Sequence, residues 1–126
     1  PVWHESGFAA LIAFVETFRG YGLAPPMIGG CPILNTAVDS DDTHPLLRER
    51  ARAVVSAWQA RLHAAVETGQ ARGEIRADID AAATATVLIA TLEGGLMLSK
   101  LDGDLAHLEQ AADHLRAYLK HRVWRE

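Results

Sequence analysis

Cys31, three evenly spaced histidines and one carboxylate inside an apolar run are the residues of this sequence whose types invite chemistry. Nucleophilic catalysis needs a Ser, Cys or Lys beside a base, and acid/base catalysis needs two titratable groups held close together. Cys31 and His44 are the nearest approach to such a pair, but no spacing rule joins them across a loop. A solitary cysteine is more often a small buried apolar side chain, and as the single Cys it excludes an internal disulfide. His107, His114 and His121 recur every seven residues and stay near one helix face. Seven residues cover about 10.5 Å of helix axis, whereas two histidines sharing a metal ion sit three or four positions apart. The spacing predicts histidines flanking a packing seam, where association would respond to pH near about 6.5, with no metal, no cofactor and no catalytic residue.

Glu93 carries more information. It is the one charge in residues 81–99, and a carboxylate in an apolar helix must be paired, hydrogen-bonded or protonated. Either it faces an internal cavity and recognises a ligand's donor or cation, or it pairs with an Arg or Lys of a neighbouring helix, across a dimer included. The run approaches the length of a bilayer span. It is nevertheless built of Ala, Thr and Gly around that carboxylate, which at bilayer depth costs on the order of 3 kcal/mol. A buried helix of a soluble, cytoplasmic protein with no membrane partner is the expectation, and residues 2–6 show none of the stages of a secretory signal.

The elements that must position these residues follow from composition and period. With 126 residues, 49% hydrophobic and 22% charged, the chain reads as a single domain over 1–126. Its 12 Lys+Arg against 16 Asp+Glu give a net charge of −4, which offers no pull on phosphate backbones. Ala and Leu dominate and no hairpin dipeptide joins alternating apolar runs, so the class is all-α. Five helices are expected. The first covers about 6–19, with Phe8, Leu11, Ile12, Val15 and Phe18 as its apolar face and Gly20 ending it. A Gly- and Pro-rich loop leads to a short helix over about 32–39 and a polar break at 39–43. A long helix starts near His44 and Pro45, aligns Leu47, Ala51, Val54, Trp58, Leu62 and Ala65, and frays at Gly69 and Gly73. Asp78 or Asp80 caps the apolar helix, which ends near Leu101. After the turn Asp102-Gly103-Asp104, the last helix buries Leu105, Leu108, Ala112, Leu115 and Leu119.

In the apolar helix, Ala82, Thr86, Ala90 and Gly94 fall four apart as a stripe of small side chains that admits another helix closely. The opposite face, Leu88, Leu92, Leu96 and Ser99, is apolar as well. A helix that is hydrophobic all round must be covered on all sides. Either it is the deep central helix of a monomer, or its hairpin with the last helix pairs with a second copy as a four-helix bundle, Leu108 and Leu115 joining that contact. Phe8, Leu11, Ile12, Val15, Trp58 and Leu62 are either plain core or the walls of a cavity with Glu93 as its polar anchor. Such a cavity would take a small hydrophobic or cationic molecule.

The run Gly29-Gly30-Cys31-Pro32-Ile33-Leu34-Asn35-Thr36-Ala37 is followed by Asp42-Thr43-His44-Pro45-Leu46-Leu47-Arg48, Trp58, Gly73-Glu74-Ile75 with Asp78 and Asp80, and Leu92-Glu93-Gly94-Gly95. Their order and spacing, over about 8–119, resemble the C-terminal domain of the TetR/AcrR family of transcriptional regulators. The resemblance implies a helical effector-binding and dimerisation domain whose last two long helices pair with those of a second subunit. It also implies that a small, mostly apolar effector enters between the other helices and shifts the spacing of two N-terminal helix-turn-helix heads. No such module is expected within these residues, so DNA would be met only through a module outside them. The rival readings are a small helical enzyme using the same cavity with Glu93 as base, and a purely structural dimerisation module.

Overall fold

A computed structural model describes residues 6–21 and 45–125, which form four α-helices and a terminal π-helical turn. The helices are α1 (Gly7–Tyr21), α2 (Pro45–Ala71), α3 (Ala81–Asp102) and α4 (Ala106–Tyr118), the last running into the π-turn Leu119–Val123. The all-helical class holds among the described residues. The expected short helix over 32–39, Cys31 and His44 lie outside them.

Each boundary has a local cause. Ser6 Oγ accepts the N–H of Ala9 at 3.1 Å, satisfying an orphan donor of the first turn of α1. A second donor is satisfied from across the chain. Glu74 Oε1 accepts from the Phe8 N–H at 3.2 Å and from Ser6 Oγ at 3.1 Å, a long-range counterpart of the capping box. Gly20 does not end α1 as expected, because the helix continues to Tyr21. A helical glycine costs about 1 kcal/mol relative to alanine. The last turn is held by Arg19, which pairs with Glu109 and, at 2.6 Å, with Asp113 on α4.

Pro45 opens α2 as the sequence predicts, its missing N–H costing nothing in a first turn. Gly69 does not fray it. The glycine is buried within the helix because Ile75 folds back onto it, the isoleucine Cδ1 lying 2.4 Å from where a Cβ would stand. The turn itself is made at Gly73, whose φ of 76° favours glycine. Asp80 caps α3 by accepting from the Ala83 N–H at 2.8 Å, and Gly103 ends that helix in the left-handed conformation. Ser99 Oγ then accepts the N–H of Leu108 at 2.9 Å, so a buried hydroxyl of α3 caps α4.

The core gathers Leu11, Val15 and Phe18 from α1, Leu62 and Val66 from α2, Leu88, Leu92 and Leu96 from α3, and Leu108, Leu115, Leu119 and Val123 from the chain's end. α3 and α4 pack as the expected hairpin. Only part of the predicted α2 stripe is buried: Ala51, Leu62 and Ala65 face the core, whereas Leu47 and Val54 are exposed and Trp58 is half-buried. By length and composition α3 could cross a membrane, with a mean hydropathy of 1.6. In this fold Leu88, Leu92 and Leu96 are buried in the core, whereas Leu98 and Leu101 are exposed.

Candidate functional site

A cavity of about 270 Å³ opens between α1 and α2, near the lower end of the sizes that hold small molecules. From α1 it is lined by Ala9, Ala10, Ala13, Phe14, Thr17 and Phe18; from α2 come Trp58, Arg61, Leu62 and Ala65. The space exists because α1 turns small side chains toward α2 along this stretch. Ala9, Ala13 and Thr17 are four apart and lie on one side of the helix, leaving a gap where larger residues would interlock.

One wall is aromatic. Phe14 and Trp58 meet edge to face with centroids 6.1 Å apart, Phe18 and Trp58 likewise at 5.9 Å, and Phe14 and Phe18 lie 6.0 Å apart. Two edge-to-face contacts to Trp58 and a tilted contact between Phe14 and Phe18 hold the three rings in place. The other walls are methyl groups. Polar character comes from the exposed Thr17 and Arg61, so no pair of acid and base groups faces this space among the described residues.

Two of the seven residues assigned to a ligand from the sequence, Trp58 and Leu62, line the cavity. Leu11 and Val15 are fully buried on the opposite side of α1 and belong to the core. Phe8 stacks edge-on against Trp124 at 4.6 Å, and Ile12 packs half-buried against the core. Glu93 is buried on α3 and is not part of the lining, so the carboxylate anchor and the preference for a cation lose their basis. The difference has a physical source. Bulky apolar residues fill a core, whereas a cavity opens where side chains are small. The same four-residue spacing of small residues noted on α3 is also present at Ala9, Ala13 and Thr17, and would have pointed to the cavity.

α3 presents a second uncovered face. Ala82, Thr86 and Ala90 are exposed and Gly94 is half-buried, with nothing within 4 Å of the position a Cβ would take. Large apolar residues continue that stripe: Val87, Met97, Leu98 and Leu101 are 46%, 45%, 43% and 74% exposed. Leu108 and Leu115, assigned to the same contact from the sequence, are buried within the single chain and are core residues.

The far end of α1 is tied by charge. Arg19 meets Glu16, Glu109 and Asp113, and Arg116 meets Glu16. The hydrogen bond from Arg116 holds the Glu16 carboxyl below its ordinary range, the charge of Arg19 adding to the effect against an opposing contribution from burial. On α4, His107 lies 2.5 Å from Asp102, and His114 is exposed; His121 in the π-turn is exposed as well. No group of three or more His, Cys, Asp or Glu side chains is placed to share a metal ion among the described residues.

The described residues form an all-helical domain with a lateral cavity between α1 and α2 and an exposed apolar face on α3. The sequence matches the family described as "Tetracyclin repressor-like, C-terminal domain" over residues 7–115. A crystal structure of a TetR transcriptional regulator from Chloroflexus aurantiacus J-10-FL is similar at 46% identity and a TM-score of 0.90, over 96% of this chain and 61% of that one. A TetR-family transcriptional regulator from Cytophaga hutchinsonii is similar at 25% identity and a TM-score of 0.72, over 90% of this chain and 62% of that one. No curated relative matches. The chain belongs to the tetracyclin repressor-like C-terminal domain family, and it spans about three-fifths of the length of these two regulators.

Proposed function

We propose that this chain is the effector-binding and dimerisation part of a cytoplasmic transcriptional regulator, and that a small, mostly apolar effector occupies the space between α1 and α2. The observation that carries the reading is the cavity itself, bounded by three aromatic rings and a row of small side chains. The DNA-reading module would correspond to the two-fifths of the relatives' length that this chain does not cover. A second copy would pack on the exposed face of α3, where Thr86, Ala90 and Gly94 permit close approach and Val87, Met97 and Leu101 supply apolar area. The effector would act by population shift, binding one arrangement of the paired domains better than the other. Against turnover stands the lining, whose hydroxyl and guanidinium make no general-base pair.

The test is calorimetric titration with 2-naphthylmethanol, a flat neutral probe, of the wild type and Trp58→Ala. Binding weakened by roughly tenfold in the variant, with an unchanged sedimentation coefficient, is the expected result, since an aromatic wall is lost far from the assembly face. Equal affinity in both proteins, or consumption of the probe, would overturn it.

A further inference from the structure

We infer that the cavity between α1 and α2 selects molecules with an anionic head on a flat apolar body, the anion being read by Arg61 at the mouth; the inference rests on the effector-site reading above. Arg61 is the single charged residue among the described ones that line the cavity, and it is exposed. It lacks the carboxylate partner that five other arginines possess. Arg19, Arg52, Arg72, Arg76 and Arg116 each meet a carboxylate, whereas among the described residues Arg61 forms no ion pair.

The reason is written into α2. The positions three and four residues on either side of Arg61 are Ala57, Trp58, Ala64 and Ala65, so its own helix offers no acid within reach. Across the cavity α1 presents Ala9, Ala10, Ala13 and Thr17, and the nearest acid of that helix, Glu16, is engaged by Arg19 and Arg116. A planar guanidinium beside an apolar slot suits a carboxylate or sulfonate, which it grips with two parallel hydrogen bonds, and the Thr17 hydroxyl can add a third. The aromatic wall does not make the site a cation receptor. The rings are engaged with one another through Trp58, and the Arg61 charge repels a cation at the mouth.

Three probes of one shape separate the terms: 2-naphthoate, 2-naphthylmethanol and 2-naphthylmethylammonium, titrated calorimetrically into the wild type, Arg61→Gln and Arg61→Glu. The wild type is expected to bind naphthoate about 5- to 10-fold more tightly than the alcohol and the ammonium probe least. Arg61→Gln should erase the difference and Arg61→Glu should invert the order, with unchanged thermal midpoints because the residue is exposed. Equal binding of all three probes by the wild type, or an anion preference that survives in Arg61→Gln, overturns the charge reading and leaves the cavity standing. Failure of every probe to bind overturns the effector site and this inference with it.

Discussion

Leu11, Val15 and Phe18 on one side of α1 are buried to within 1% of complete, whereas Ala9, Ala13 and Thr17 on the other side border open space. α3 is divided in the same way. Leu88, Leu92 and Leu96 lie in the core, and Thr86, Ala90 and Gly94 face outward with room for another backbone. In both helices one face of large residues completes the chain's own core, and a row of small ones on the other face leaves space beside it. Under the proposed function a molecule the size of the cavity sits on α1 and a helix of a second copy on α3.

The comparison breaks most visibly through the core face. Leu92→Ala removes a fully buried side chain at the centre of α3 and should cost about 2–5 kcal/mol in chemical denaturation, a loss the outward face of the same helix cannot produce. Two adjacent glycines sharpen the contrast. A Cβ on Gly95 would stand 2.8 Å from the Ala111 side chain and 3.2 Å from the His107 carbonyl, so Gly95→Ala should destabilise by about 1–3 kcal/mol. Gly94→Ala meets nothing and should raise stability by up to about 1 kcal/mol through helix propensity. Gly94→Leu should leave the fold intact and convert dimer to monomer in sedimentation equilibrium. A dimer that persists in that variant would move the interface elsewhere.

Much of this division was legible in the sequence and part of it was not. Periodicity finds α1, α3 and α4 because each has a face of bulky residues, and Asp80 and Gly103 mark the ends of α3 by ordinary capping chemistry. Periodicity reports what is bulky and apolar, and those side chains pack against one another, so it points to the core rather than to the cavity between α1 and α2. Thr17 and Arg61 carry no such signal, since a threonine and an arginine on exposed helix faces read as solvated surface until the facing helix is known. Glu74 is a similar case. The Gly73-Glu74-Ile75 run looks like a turn, but only the fold shows Glu74 capping α1 while Ile75 pairs with Trp124 as an isolated bridge.

That cap gives a smaller, local effect. Glu74→Gln keeps the size of the side chain but removes the charge that accepts from Ser6 and the Phe8 N–H, and should cost about 1 kcal/mol, read as faster amide exchange in the first turn of α1. The smallest effect belongs to the charged end. Because the Glu16 carboxyl is held below its ordinary 4.5, its contribution is fully present above that value and is lost as pH falls through the lower folded-state value. Glu16→Gln should therefore flatten the acid limb of the thermal midpoint below about pH 4.5. The difference should stay under about 1 kcal/mol, since the pair is partly solvated. An unchanged acid limb would remove Glu16 from the account.

The affinity of Ala13→Leu for 2-naphthoate, set against that of the wild type, tests whether a ligand occupies the space between α1 and α2. Ala13 lies on the small-residue face and is exposed, so the added isobutyl group enters the cavity without disturbing the core. At least about a tenfold loss of affinity is expected, because a side chain now occupies the space the probe requires, with the thermal midpoint unchanged. Undiminished binding by Ala13→Leu would contradict it, because the ligand would then sit somewhere other than the space between α1 and α2.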